Sequence, residues 1–190
     1  MKIMTVVAMA AVVGMRAQAK PAGEGTGHVV NVYVRNDSVP FLTLQIAEGL
    51  AAKMFAGSGV RIGWHDGAQL PAGAIAITLV SQAPASFTPG AMAFALPYER
   101  VHITVFLDRL RHANGSVPPP VLLAHVLVHE ITHILQASDR HSDSGVMKAR
   151  WIAQDYEAMA RKPLRFTSED LDLIHRGAAA RAASNVGEAQ

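Results

Sequence analysis

The most informative part of this chain is His-Glu-Ile-Thr-His at 129–133, followed two residues later by Gln-Ala-Ser-Asp-Arg-His-Ser-Asp-Ser-Gly-Val-Met at 136–147. Two histidines four residues apart on a helix project from the same face about one turn apart, so both rings can reach one metal ion. Glu130 lies beside the first of them and can act as a base on a metal-bound water. The stretch therefore predicts a metal site on a helix.

The segment that carries this stretch is predicted to be a helix in the interior of a domain. Three prolines at 118–120 suit a helix start, and residues 121 to about 136 are apolar almost all round. Burial of imidazoles and a carboxylate in such a helix is costly unless something pairs with them, and a divalent cation is the simplest partner. The alternative is that the histidines are core residues bonded to backbone carbonyls. His125 is expected in the core or behind the site, since it lies two turns from His133.

Two residues that follow His133 could complete a three-ligand site. Asp139 comes six residues after it and His141 comes eight after it. Imidazole is the commoner zinc ligand, so His141 is the favoured third ligand and Asp139 the alternative.

The stretch resembles the metzincin-like metallopeptidases, in which a His-Glu-x-x-His helix is followed by a turn, a third ligand and a methionine beneath the metal. The family's glycine and third ligand fall here on Gln136 and Asp139, so the glycine is absent. His141-Ser142 followed by Gly145-Val146-Met147 is more similar to the family's ligand and Met-turn, with a longer spacing that also occurs in short exported bacterial proteins of this kind.

This resemblance implies a ligand set and a packing residue. Zinc would be held by His129, His133 and His141, and Met147 would pack under the site without touching the metal. In the thermolysin-like gluzincins the third ligand is a glutamate on a later helix, which makes Glu157 the last alternative after Asp139.

The rest of the chain predicts an α+β (mixed α/β) domain. Strands are expected at 29–35, 60–64, 74–80, 91–95 and 101–106. Helices are expected from Pro40, where Ile46, Leu50 and Met54 recur every four residues with Ala47 and Ala51 beside them, and in the C-terminal part at 151–161 and after 167.

With the resemblance, this order implies a zincin-like twisted mixed sheet of about five strands, a backing helix, a central metal-binding helix and a small helical C-terminal part. The weak strand would be the edge that pairs with substrate, through the small residues Ala91, Ala93 and Ala95.

The N-terminus is predicted to be a signal peptide. Residues 1–19 contain Lys2, an apolar stretch at 3–15 and Ala-Gln-Ala at 17–19, the order that a signal needs. We therefore expect an exported protein, periplasmic or secreted, although a buried N-terminal helix is the other interpretation. Residues 20–190 would form a single domain with a loose arm at 20–27 and a frayed tail at 184–190.

Composition limits the partners. The chain has no cysteine, so a metal must be held by His, Asp or Glu. Of its 17 Lys and Arg residues, Lys2 and Arg16 lie in the predicted signal, which leaves a formally neutral mature chain against 15 Asp and Glu. With no basic cluster and no later apolar run of membrane-spanning length, we expect no nucleic acid partner, no membrane association after signal removal, and a monomer.

These features predict an exported zinc metalloendopeptidase that hydrolyses polypeptides with one catalytic Zn²⁺ and Glu130 as general base. Two alternatives stay open: a non-catalytic zincin-like module that binds metal or a partner, and a structural domain without metal. The presence of Glu130 favours the enzyme, since a structural zinc site needs no base and usually closes its fourth position.

Overall fold

A five-stranded sheet lies at the centre of the computed structural model, which describes residues 28–36, 38–67, 69–112 and 117–187. Its strands are β1 (Val29–Asn36), β2 (Arg61–Asp66), β3 (Ile75–Val80), β4 (Ala93–Ala95) and β5 (His102–Phe106). They lie in the order β2-β1-β3-β5-β4, with β4 antiparallel to β5 and the other pairs parallel. The predicted mixed sheet of five strands is confirmed.

Five helices accompany the sheet in the described part of the chain: α1 (Phe41–Ala56), α2 (Leu107–His112), α3 (Pro119–Gln136), α4 (Ala153–Arg161) and α5 (Ser168–Gly187). The short α2, which follows β5 directly, was not expected from the sequence. The tail predicted to fray at 184–190 is helical as far as Gly187, while the signal peptide and arm at 1–27 lie outside the described residues. No helix in the described ranges is long and apolar enough to cross a membrane.

The sheet is covered by helices mainly on one face. Along β1 the buried residues are Val30, Val32 and Val34, while the residues between them retain exposure. Parallel sheets with both faces covered are apolar at nearly every position, so this alternation marks a sheet with one open face.

Helix α1 packs through the alanine side of its predicted apolar pattern. Its buried side chains are Leu44, Ala47, Ala51 and Phe55, while Leu50 and Met54 are partly buried against the core and Ile46 is 48% exposed. Apolar residues occur on several faces of this helix, which left its orientation ambiguous. The face with the two small alanines is the one that packs, and α1 lies against α3.

Helix α3 occupies the interior that its sequence predicted. It begins after Pro118 and contacts α1, α5, α2 and α4 as well as strands β4 and β5. The helix ends at Gln136, and Ala137 turns the chain with a left-handed φ of 50°. The turn is thus made one residue after the position of the family glycine.

Two contacts fix α5 against the rest of the fold. Gly177 lies so close to α3 that a Cβ built on it would be 1.7 Å from the carbonyl oxygen of Leu135. Buried Arg181 donates hydrogen bonds to the carbonyl oxygens of Gly73, Ala74 and Arg100. The C-terminal helix is therefore attached both to α3 and to the loops at the ends of β3 and β5.

Candidate metal centre

Three histidine rings converge on the floor of a cleft. His129 and His133 come from α3, and His141 comes from the loop that follows it. One ring nitrogen from each of the three lies within 4.8 Å of the other two. The Nε2 atoms of His129 and His133 are only 3.1 Å apart.

Backbone carbonyls set the tautomers of the two helical histidines. Nδ1 of His129 donates to the carbonyl oxygen of Val146 at 2.8 Å, and Nδ1 of His133 donates to that of Ser138, also at 2.8 Å. In a neutral imidazole the other nitrogen is then an acceptor. Two Nε2 lone pairs therefore face one another at a distance where they repel unless a cation lies between them.

The environment keeps these imidazoles neutral. Burial and the neighbouring His133 lower the pKa of His129 to about 3, and burial also lowers the pKa of His133 and of His141. A shared proton is therefore a poor partner for the cluster at neutral pH, whereas a metal ion requires such neutral nitrogen donors. The donor set of three imidazoles, without thiolate, fits zinc.

The loop that carries His141 is attached to α5 through Asp170. This carboxylate is fully buried and accepts hydrogen bonds from Ser142 Oγ at 2.7 Å and from Arg140 Nη1 at 3.1 Å. It also accepts bonds from the backbone N–H and the hydroxyl of Thr167, which precedes α5 and whose hydroxyl oxygen accepts from the Asp170 N–H. Asp170 thus holds the residues on both sides of His141.

The segment after His141 folds back under the histidines. Met147 is fully buried, its carbonyl oxygen accepts from the N–H of Ser142 at 2.8 Å, and the preceding Val146 orients His129. Gly145 has φ of +77°, and a Cβ there would be 2.2 Å from the carbonyl oxygen of Arg165. The glycine is therefore required for this turn, and Met147, which follows the residue that orients His129, belongs to the buried core.

Glu130 lies between the histidines and the edge of the sheet. It retains partial exposure, yet burial raises its pKa to about 8, while a hydrogen bond from the Ala95 N–H favours the carboxylate and acts in the opposite direction. A cation next to Glu130 would lower the pKa of this carboxyl from its raised value, because the cation favours the charged form.

The edge strand presents part of its backbone to the cleft. The carbonyl of Met92 and the N–H of Leu96 bond to β5, and Phe94 lies opposite Thr104. Since antiparallel strands alternate their bonding direction, the backbone groups of Ala93 and Ala95 point away from β5. The N–H of Ala95 is used by Glu130, so Ala93 has the available groups.

Ala91 was expected in this strand and is not part of it. The strand starts at Ala93, the N–H of Ala91 donates to Thr88, and its carbonyl accepts from Arg109 at 2.7 Å. Its backbone is committed to bonds within the protein because the chain turns there, although the residue still lines the cleft.

The cleft has a volume of about 900 Å³ and extends along α3. Val126, His129, Glu130 and His133 form its floor. Residues that the sequence did not single out complete its walls, among them Met92, Arg109, Arg150 and Trp151. They lie in loops or in the unpredicted α2, and they carry no spacing that sequence reasoning could use.

The alternative ligands lie apart from the cluster. Asp139 lines the cleft and accepts a bond from the Tyr98 hydroxyl at 3.4 Å, but it is not in the group of converging ligand atoms. Glu157 is exposed on α4 and does not line the cleft. His125 is a satisfied core histidine, donating to Val121 and accepting from the N–H of Leu164.

Among solved structures, one with the same architecture is the crystal structure of archaemetzincin from Methanopyrus kandleri at 1.5 Å resolution. It matches 82% of this chain and 98% of its own length, with a TM-score of 0.53 and 16% sequence identity. The fold is archaemetzincin-like. No protein-family model and no curated protein matches the chain. The metzincin-like architecture predicted from residues 129–147 is therefore confirmed at the level of the fold.

Proposed function

We propose that the chain is a zinc-dependent endopeptidase that cleaves polypeptides in the cleft above α3. The observation that carries this proposal is the facing pair of Nε2 atoms, 3.1 Å apart and fixed by carbonyl bonds, with Glu130 beside them. The archaemetzincin-like fold supports the same class of reaction. We also propose export, on the basis of the signal-like residues 1–19.

Each residue has a defined task in this mechanism. His129, His133 and His141 would hold zinc, and three protein ligands is the number typical of catalytic rather than structural zinc. Zinc, when bound, supplies a Lewis acid that polarises a carbonyl and makes water more acidic. The Glu130 carboxylate takes a proton from the attacking water and delivers it to the leaving amine.

Substrate is positioned by the sheet edge. Because the N–H and carbonyl of Ala93 face the cleft, an extended peptide that pairs with this residue would run along β4 and across the histidines. The N–H of Ala95 lies at the same edge, where it favours the charged form of Glu130. Substrate binding and proton transfer are thus organised by two alternate residues of one strand.

The test compares the zinc-loaded wild-type chain with Glu130→Gln on a peptide library analysed by mass spectrometry. We expect hydrolysis by the wild type, loss of turnover by at least about a hundredfold in the variant, and equal zinc content in both. Hydrolysis that persists in Glu130→Gln would remove the general base. Bound zinc with no hydrolysis by the wild type would instead support the non-catalytic module.

A further inference from the structure

The described residues that line the cleft include three permanent cations, which are Arg109, Lys148 and Arg150. The acidic side chains on the same surface are Glu130 and Asp139. Since Glu130 is assigned to proton transfer, the positive groups exceed the acidic groups left to contact a ligand. The cleft therefore has an electrostatic preference that the hydrolytic chemistry does not require.

Arg150 and Asp139 lie at opposite ends of the cleft along α3. The Trp151 ring lies 5.6 Å from that of His129 and 6.3 Å from that of His125, so Arg150 and Trp151 belong to the end of the cleft near Val126. Asp139 follows Ser138, whose carbonyl bonds to His133, and so belongs to the opposite end. We call the first the Arg150 end, formed by Arg150, Trp151, Tyr156 and Val126.

The three cations differ in what they already bind. Lys148 is paired with Asp155, with Nζ and Oδ2 2.5 Å apart. The guanidinium of Arg109 donates to the carbonyl oxygens of Thr88 and Ala91. Arg150 is exposed and forms no ion pair with any residue that the structure describes. Its guanidinium is the cation available to a ligand.

The surroundings of Arg150 suit an anion. A guanidinium binds a carboxylate through two parallel hydrogen bonds, and it does so more strongly where water is partly excluded. The rings of Trp151 and Tyr156 pack edge to face, 6.4 Å between centroids, and provide an apolar wall at this end. The Trp151 indole N–H is also buried with no acceptor among the described residues.

We propose that the Arg150 end of the cleft binds a carboxylate of the polypeptide substrate and that Arg150 is the residue that selects it. The proposal rests on the proposed function, because the ligand is the substrate of that cleft. The carboxylate comes from an Asp or Glu side chain near the scissile bond or from the C-terminus of the peptide.

Binding is measured first, with zinc-loaded Glu130→Gln protein, so that turnover does not interfere. The probes are peptides that carry Glu, Gln or Lys at one scanned position, each with a free or an amidated C-terminus. We expect one carboxylate to tighten binding about tenfold over the matched amide. A gain from Glu over Gln identifies the side chain as the source, and a gain from free acid over amide identifies the C-terminus.

Arg150 variants of the Glu130→Gln protein test whether Arg150 causes this preference for a carboxylate. Arg150→Ala should bring the ratio of acid to amide affinity close to one, and Arg150→Glu should reverse it in favour of Lys. Arg61→Ala, an exposed arginine on β2 at the far edge of the sheet, should keep the tenfold preference. Equal binding of all peptides, no binding of any, or a preference that survives both Arg150 variants would overturn the proposal.

Cleavage by the wild type then separates this proposal from the proposed function. Carboxylate-selective binding without hydrolysis would leave the Arg150 site standing and refute the peptidase. Hydrolysis that depends on Glu130 but ignores the carboxylate would refute the Arg150 site and leave the peptidase standing. Retention of the wild-type thermal midpoint in both Arg150 variants would show that their loss of preference is not a loss of fold.

Discussion

The carbonyl oxygens that orient the His129 and His133 rings come from the backbone of Val146 and Ser138. The positions of these oxygens depend on backbone conformation alone. A sequence motif can predict which imidazoles meet, but it cannot show what fixes their tautomers, since any residue can supply a carbonyl. The geometry of the site therefore depends on the conformation of the loop at 138–147.

Gly145 provides the first test of that dependence. Gly145→Ala should destabilise the fold by about 2 kcal/mol or more, because the added Cβ meets the Arg165 carbonyl at 2.2 Å in a left-handed backbone. It should also weaken zinc binding, since the adjacent Val146 carbonyl orients His129. Denaturant unfolding and competition with a chelator measure the two effects.

Gly90 is the matched control. It has a similar φ of +87°, but a Cβ there would meet nothing within 4 Å. Gly90→Ala should cost only about 1 kcal/mol, from backbone strain, and leave zinc affinity as it was. Equal losses in both variants would mean that the contact with Arg165 is unimportant.

The half-buried carboxyl of Glu48 is expected to make the free energy of unfolding depend on pH, independently of the metal site. Burial on α1 and the charge of Asp66 raise its pKa to about 7, above the 4.5 of the unfolded chain. A carboxyl with a raised folded pKa costs stability increasingly as pH rises from 4.5 to 7, because the charged form is disfavoured only in the folded state.

Glu48→Gln removes that cost. The variant should match the wild type near pH 4 and exceed it by about 1 kcal/mol at pH 8, a modest gain because water still reaches the side chain. Unfolding in urea at both pH values measures it, with exposed Glu157→Gln as a control that should show no such gain. A gain that is equal at both pH values would contradict the assignment.

At the scale of elements, α5 and the His141 loop are joined by one buried carboxylate. Asp170→Asn should destabilise the fold by about 3 kcal/mol, because the neutral amide binds the Arg140 guanidinium and the Ser142 hydroxyl less well. Zinc affinity should fall about tenfold or more, as is usual when a group that holds a ligand is changed.

Asp172 lies on the same helix and is exposed, so Asp172→Asn is the control and should change neither property. Metal titration of the two variants at a temperature where both are folded separates ligand positioning from stability. Unchanged zinc affinity in Asp170→Asn would show that α5 only supports the fold.

Removal of the Ala93 N–H tests whether substrate pairs with the edge strand β4. Ala93→Pro deletes a donor that faces the cleft and leaves the bonds of Met92 and Leu96 to β5 in place. We expect kcat/KM for peptides to fall about tenfold or more with zinc content unchanged, while Ala93→Ser, which keeps the N–H, behaves as wild type. Peptide kinetics that are the same in both variants would exclude pairing with β4.

Sequence patterns predicted which helices and strands form better than they predicted which helix faces are buried and what holds the helix ends. The apolar run at 121–136 gave α3 almost to the residue, because a fully buried helix has an unambiguous composition. Helix α1 was correctly located, but its apolar residues cover more than one face, and the fold buries the side with Ala47 and Ala51 while Ile46 stays exposed. The Thr167–Asp170 cap was visible in the sequence, but its bond to Ser142 spans 28 residues and was not.

At the scale of the whole molecule, the parts of the site come from four regions that only the fold brings together. Helix α3 supplies His129, Glu130 and His133, the following loop supplies His141, β4 supplies the backbone edge, and the segment after Met147 supplies Arg150 and Trp151. The first two regions are near one another in sequence and were predicted, and the strand at β4 was predicted as the edge of the sheet. The cleft wall was not, because its residues share no periodicity or spacing.

Whether the three histidines hold one zinc ion is decided by the metal content of the purified chain, measured by elemental analysis after zinc is supplied and the excess removed. We expect close to one zinc per wild-type chain and a marked loss in His133→Ala, with lower stability, since the metal helps to hold a buried helix. A wild-type chain that retains no zinc would contradict this expectation and make the histidines residues of the core.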